Sequence, residues 1–448
     1  MKQNTKVPAK KKGQYVSIKQ PAAGNSKLFI VVSIVIIGFA LSVIFHYCMV
    51  YYFNLKNYPN NTFLYIPYDR FNDFYSTYKV SANLDPYGSS ASYFPLAFIF
   101  MYLFTFFPAN FAFGIFTITF ITFCFIYFYR NVPGLKVFQK VVFAFVLSFM
   151  SYPILFIIDR GNLEAWIFIA IVLFIHFYQK EKHFLAILFL SVAIAFKLYP
   201  GILLLLYLAD KKYKFVLYAC LTTFVLSLGS AAMLHGGVAA TKEGLKAGLG
   251  SVSNVMAFGY HGVQHSTSFF APMRLLLDYV LIRKDALTFE NDIHFYNYYY
   301  LFALVVFAIV AIIFFAYRMP LWKRVALLVL LYISLPQISF DYKLISISIP
   351  LVLFITSTEV SKFNPYYAVL FGLILIPKDY YVIVVDITSN IIINPVLIFL
   401  LILLILTDTL KFSKRKKSMQ RVEVGTGTPT MKKKQLPGDK VSGIRKLK

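Results

Sequence analysis

Apolar stretches of roughly membrane-crossing length recur along this chain from Leu28 to Leu410, and nothing else in the sequence limits the fold so strongly. A helix needs ~20 mostly apolar residues to cross the hydrocarbon layer, and fewer where protein neighbours shield it. Such stretches fall near residues 28–50, 111–129, 138–158, 163–178, 184–196, 199–209, 214–233, 298–317, 321–336, 343–357, 364–377 and 395–410, twelve in all. Of the 448 residues, 59% are hydrophobic and 14% charged. Soluble domains run near 45–50% and about 25%. These proportions exclude a soluble enzyme, a disordered chain and a fibrous protein. They leave an all-α polytopic membrane protein.

Charge then orients it. The net charge is +25, and eighteen of those charges sit in two tails. Residues 1–27 carry seven lysines and no acid; residues 411–448 carry thirteen Lys and Arg against Glu423 and Asp439. Lys and Arg collect on the cytoplasmic side of membrane spans. Both tails are therefore assigned to the cytoplasm, 411–448 as a disordered segment, with membrane lipid headgroups and not nucleic acid as their partners. The run at 28–50 is too long for a signal-peptide core and reads as a retained first span. Cys48, Cys124 and Cys220 all lie in apolar runs and read as buried small hydrophobes, without metal or disulfide.

The same rule puts a first loop, 51–110, and a large loop, 234–297, outside. Within the first, 93–107 is only ~22 Å long as a helix. Treating it as re-entrant or interfacial keeps Arg130, Lys136 and Lys140 inside. One long helix over 183–210 would strand Lys197 in mid-membrane, so two short helices meeting at Lys197–Pro200 are expected. With directions set this way, the polar clusters at 69–87, 159–162, 197–200, 260–266, 341–343 and 378–380 all fall on the outer face. A shared outer cavity is the simplest cause.

Several residues in those clusters could carry chemistry. Asp73 lies in "FNDFYSTYKV", whose aromatics space like a surface-lying amphipathic helix. A half-desolvated carboxylate there suits a general base, or it simply caps the helix. "DRGNLEAW" clusters Asp159, Arg160 and Glu164 at the outer end of a span. Arg160 could grip a phosphate, or pair internally, and Asn162 could start the helix. "AFKLYPG" sets Lys197 and Tyr199 at the boundary, where Lys197 is a phosphate partner or an interfacial anchor. In "YHGVQHSTSFF", His261 and His265 are four apart, but Gly262 weakens a helix and no metalloprotease motif is present. His261, Gln264, His265 and Ser266 are better read as sugar or phosphate contacts. Tyr342 and Lys343 in "FDYKL" join them as substrate-binding candidates, and so does the possibility that this segment is an anchor. Phosphate-binding loops, dinucleotide fingerprints and nucleophile elbows are absent from the sequence, and so is an Asp-x-Asp triplet.

The succession "NDFYSTYKVSANLDPYG…YFPL", "DRGNLE", "FKLYP" and "VQHSTSFFAPMRLL" resembles the membrane glycosyltransferases of glycosyltransferase family 87, within the GT-C superfamily. The resemblance runs from about Leu28 to Leu410. It implies a GT-C-like catalytic bundle of about twelve transmembrane helices over 28–410, with short amphipathic helices in a long first outer loop. It implies a polyprenyl-phosphate sugar as donor, a lipid or glycan as acceptor, and an acidic residue of the first outer loop as base. By position that base is Asp73. The family's Lys-x-x-Pro pattern falls on Lys197, which the resemblance places near the donor phosphate; Arg160, from the reading of the residues, is the second phosphate-binding candidate. "VQHS" is similar to the family's Asn-Gln-Ser stretch, with Val263 in place of Asn and His265 inserted, a departure that bears on acceptor or sugar identity.

Resemblance and residues together lead to an inverting hexosyltransferase, mannosyltransferase-like, in the plasma membrane. Its site would be extracytoplasmic and its termini cytoplasmic, with no cofactor and no metal. A transporter or flippase of lipid-linked glycans, and a glycan ligase or polymerase, are the alternatives. The former calls for polar groups at mid-membrane and inverted repeats. The latter calls for more arginines than Arg274 and Arg283 in the large outer loop.

Overall fold

The computed structural model describes residues 23–55, 70–89, 93–132, 135–257, 263, 265–282, 289–380, 382–384 and 387–425. Among the described residues the chain is all-α apart from one small antiparallel hairpin, β1 (Val382–Val384) with β2 (Ile387–Thr388). Every apolar stretch read from the sequence is helical. Far fewer than twelve helices, however, are individually long and apolar enough to cross a membrane. Among the described residues five are: Ser26–Tyr52, containing α1 (Ala23–Tyr47); α4 (Ala109–Arg130); α10 (Tyr213–Met233); His294–Ala316, within α13 (Phe289–Ala316); and Asn390–Lys411, within α17 (Asn390–Gly425). A sixth is possible if the bent pair α5 (Val137–Phe149) and α6 (Tyr152–Arg160) counts as one. That pair replaces the single span expected over 138–158. The helix ends at Met150, Ser151 is extended, and Pro153 opens the next helix with a 46° bend.

The remaining apolar helices are short because they sit inside the bundle, where neighbours and not lipid surround them. α7 (Glu164–Gln179) and α14 (Leu321–Ser334) are the most enclosed, with α14 buried from Trp322 to Ser334 almost without interruption. α8 (His183–Phe196) packs against α7 and α10; α15 (Ser348–Thr356) packs against α14; α16 (Asn364–Ile374) packs against α1. The apolar stripe of α4, Ala112, Phe116, Phe120, Cys124 and Phe128, recurs every four residues and is wholly buried.

Three local features bring the polar segments together. First, α2 (Asn72–Ala82) opens from Phe71 in the left-handed conformation, and the Phe71 amide donates to the Asp159 carbonyl at 2.7 Å. This docks α2 on the turn between α6 and α7. Gly161 makes the docking possible: its φ is +64°, and a Cβ there would fall 2.5 Å from the Cβ of Phe74. Second, α8 stops at Lys197, which is extended (φ −150°, ψ 141°), and Pro200 sits at the start of a short 3-10 turn, 199–203. Third, another 3-10 segment, Asp341–Ile347, lies against α6 and stacks Tyr342 on Phe156. Between α2 and α4, the short helix α3 (Pro95–Tyr102) packs on α2, α8 and α10.

Candidate active site

Asp73 stands in the first turn of α2, where the helix dipole favours a carboxylate. It does not cap the helix: the capping position is Phe71 and has no side-chain cap bond. Its two oxygens are used separately. Arg160 Nη2 donates to Oδ1 at 3.0 Å, and Asn162 Nδ2 donates to Oδ2 at 2.6 Å. Both donors come from the α6–α7 turn on which α2 rests. Asp73 and Arg160 keep 23% and 20% of their side-chain surface exposed, so this pair faces an opening.

A second layer of polar side chains adjoins it. Asn162 Oδ1 accepts from the Glu164 amide at 2.9 Å and so starts α7. Glu164 is fully buried. It accepts from Lys197 Nζ at 3.3 Å and from the Tyr199 hydroxyl. The Lys197 ammonium also lies over two rings, 4.8 Å from the centroid of Tyr93 and 5.3 Å from that of Tyr342. Lys343 Nζ lies 5.0 Å from the Tyr199 centroid and donates to the Ile338 carbonyl at 3.3 Å. Burial pushes the Tyr93 hydroxyl up to about 12, against the pull of Lys197, so it is a neutral phenol at physiological pH.

Asp73, Arg160, Asn162, Lys197, Tyr199, Tyr342 and Lys343, drawn from four distant segments, thus form one continuous cluster. Arg160, Lys197 and Lys343 outnumber the carboxylates Asp73 and Glu164 by one charge. Glu164 and Tyr93 belong to it although neither stands among the site candidates read from the sequence. Glu164 carries a signal there, a lone acid opening an apolar helix; Tyr93 carries none, because its role depends on where Lys197 lands.

His265 and Ser266 lie in a second cluster. His265, at φ +51°, packs on Phe156 and offers its backbone carbonyl to the Asp341 amide at 2.8 Å. Ser266 is buried, bridges to Phe340 and accepts from the Ser268 amide at 3.3 Å. Two buried carboxylates, Asp341 and Asp379, adjoin His265. Burial, with the Asp379 carboxylate beside it, holds Asp341 above the usual carboxylate range. His261 and Gln264 lie outside the described residues.

The family model described as glycosyltransferase family 87 matches residues 92–337. That is more than half of the chain; it takes in "DRGNLE", "FKLYP" and "VQHSTSFF" and begins after Asp73. No curated protein and no solved structure matches the chain. The chain belongs to glycosyltransferase family 87 and is a membrane-embedded glycosyltransferase.

Proposed function

We propose that the chain is an inverting transferase that moves a hexose, mannose, from a polyprenyl-phosphate donor to a lipid or glycan acceptor on the extracytoplasmic face of the plasma membrane. One observation carries this reading. The partly open carboxylate of Asp73 is clamped by Arg160 and Asn162, one residue layer from Lys197, in a cluster with one surplus positive charge. A sugar linked through a phosphodiester to a membrane lipid brings one negative charge and an apolar tail, which suits a charged crevice set among apolar helices.

The acceptor hydroxyl gives its proton to an Asp73 oxygen as its own oxygen bonds to the anomeric carbon from the face opposite the phosphate. The anomeric carbon–oxygen bond breaks, and its electron pair leaves with polyprenyl phosphate. Such a leaving group needs charge stabilisation more than a proton, and Arg160, Lys197 and Lys343 are the groups that supply it. Paired catalytic carboxyls are a requirement of glycoside hydrolysis; here one suffices. Glu164 is the poorer base because it is fully buried and both its oxygens are engaged, whereas Asp73 reaches solvent. When donor phosphate draws Arg160 toward itself, Asp73 Oδ1 becomes free to accept the proton.

The test is reconstituted protein supplied with radiolabelled polyprenyl-phosphate mannose and a total lipid extract. The expected result is release of polyprenyl phosphate together with a labelled glycolipid of inverted anomeric configuration. Asp73→Asn should lower turnover at least about 100-fold while the protein inserts normally. Near-normal turnover in Asp73→Asn overturns the mechanism, and retained configuration overturns the single displacement.

A further inference from the structure

The Asp73–Lys197 cluster leans on a segment that takes no part in the reaction. Tyr93 stands between the two sides of that cluster. The Lys197 ammonium lies 4.8 Å from the centroid of its ring. Its hydroxyl and the Asn162 side chain are hydrogen-bond partners, and Asn162 also donates to Asp73 at 2.6 Å. One residue therefore touches both the ammonium and the amide that clamps the base. Yet Tyr93 precedes α3 and belongs to no helix. Holding such a residue in one conformation costs entropy that local bonds must offset.

Two bonds fix its backbone. The Phe94 amide donates to the Phe196 carbonyl at 3.4 Å, one residue before Lys197, so ring and ammonium share a backbone junction. The Tyr87 hydroxyl donates to the Tyr93 carbonyl itself at 3.0 Å. Tyr87 lies in a 3-10 turn, Pro86–Ser89, and its ring meets Phe98 of α3 edge-on at 5.6 Å. It is braced from a distant part of the chain. The helix α11 (Gly237–Ala257), in the long segment between α10 and α13, packs on this turn. At Gly244 the approach is so close that a Cβ would overlap the Tyr87 Cβ and lie 2.8 Å from its Cγ. Just before α11, the His235 amide donates to the Leu84 carbonyl at 2.8 Å. A backbone bond and a glycine contact thus clamp residues 84–87 on residues 235–244. A phenylalanine at position 87 would satisfy the contacts with Phe98 and Gly244 equally well. What the hydroxyl adds is the bond to the Tyr93 carbonyl.

We propose that Tyr87 is a positioning residue of the transferase: braced on α11 at Gly244, it holds Tyr93 in place, and Tyr93 seats Lys197 for the donor phosphate. Tyr87 touches no substrate and acts through Tyr93. The segment between α10 and α13 thereby bears on the site through one phenol. The consequence for Lys197 rests on the polyprenyl-phosphate reading of the donor; the consequence for Tyr93 does not.

The experiment uses the full chain in nanodiscs, with fluorotyrosine incorporated at residue 93 and its fluorine resonance as the readout. Tyr87→Phe keeps the ring on Phe98 and removes one hydroxyl, and the residue-93 signal should broaden or move. Gly244→Ala should also move it. Gly250→Ala, on the same helix with nothing within 4 Å of its Cβ, should leave it unchanged. An unchanged signal in Tyr87→Phe overturns the proposal whatever the donor. In transfer assays on the unlabelled protein, Tyr87→Phe should raise donor KM about three- to tenfold, the size of one lost hydrogen bond, with acceptor KM unchanged. In a Tyr93→Leu background the same substitution should add less than about twofold, because the ring it positions is gone. Full additivity of the two substitutions overturns the proposal. So does a fall in kcat with donor KM unchanged, the behaviour of a merely structural tyrosine. Wild-type protein that moves nothing from polyprenyl-phosphate mannose defeats the donor reading alone, and the fluorine comparison then decides for Tyr87.

Discussion

Lys197 shows how much a single side chain can be asked to do. It holds Glu164 in charge balance and rests on two aromatic faces, and in the proposed reaction it also meets the donor phosphate. Removing it therefore has two separable effects. In Lys197→Ala, Glu164 is left buried without its cation, a loss of about 3–5 kcal/mol. Lys197→Ala combined with Glu164→Gln removes the stranded charge as well, and most of the lost stability should return in thermal unfolding. Transfer should not return with it if the ammonium also meets the phosphate: donor KM should stay raised or kcat lowered in the double variant. Recovery of both stability and turnover would reduce Lys197 to a structural counter-ion. The carboxylates differ in the same way. Asp73 is exposed enough to meet an acceptor and Glu164 is not, so Glu164→Gln alone should cost less turnover than Asp73→Asn.

The α6–α7 turn is the element on which the site depends, because it holds Arg160 and Asn162 against Asp73 and carries the backbone bond to Phe71. Gly161→Ala tests it. A methyl group there meets the Phe74 Cβ at 2.5 Å and sits on a φ of +64° that Ala resists. The expected outcome is destabilisation of about 1–3 kcal/mol and loss of transfer, as α2 lifts from the turn. Gly201→Ala, whose Cβ would meet only Ile194 at 3.9 Å, is the control and should be tolerated. Parity of the two variants in activity would detach α2 from the site. This element also shows what sequence could and could not convey. The break at Lys197–Pro200 was legible because a lysine inside an apolar run and a proline after it leave few other foldings. The chemistry of "DRGNLE" was legible as a charge cluster, but its partner was not, since nothing local ties residue 73 to residue 160. The bend after Met150 carries a local signal, Ser151 and Pro153 inside the apolar run, which hydropathy alone averages away. His265 and the segment of Asp341 read separately as contacts or anchors, and Asp379 only as part of the polar cluster at 378–380; only tertiary packing makes them neighbours.

At the scale of the whole molecule, polar groups gather at two levels and leave an apolar layer between. Glu164 opens α7 at the candidate site, and Tyr178 near its other end bonds Asp210 at 2.5 Å, ~21 Å away along the axis. Arg324 meets the same Asp210 at 2.8 Å, and beside it Lys323 pairs with Glu359 and Asp408 at 2.7 and 2.8 Å. These two ion networks lie at the level of the basic loops assigned to the cytoplasm. They read as a structural belt, with Asp210 and Asp408 each answering a cation of α14. The proposed transfer requires Asp73 and Lys197 to open to one compartment, the one opposite those basic loops. Ser76 in α2 and Leu198 beside Lys197 are exposed; so is Glu181 in the loop after α7. With Cys48, Cys124 and Cys220 replaced, cysteines at Ser76 and Leu198 should react with a membrane-impermeant maleimide in intact cells. A cysteine at Glu181 should react only after permeabilisation. Labelling of Ser76→Cys and Leu198→Cys from different sides would place the base and the phosphate-binding lysine across a membrane from each other. No transfer of the proposed kind could then run through this cluster.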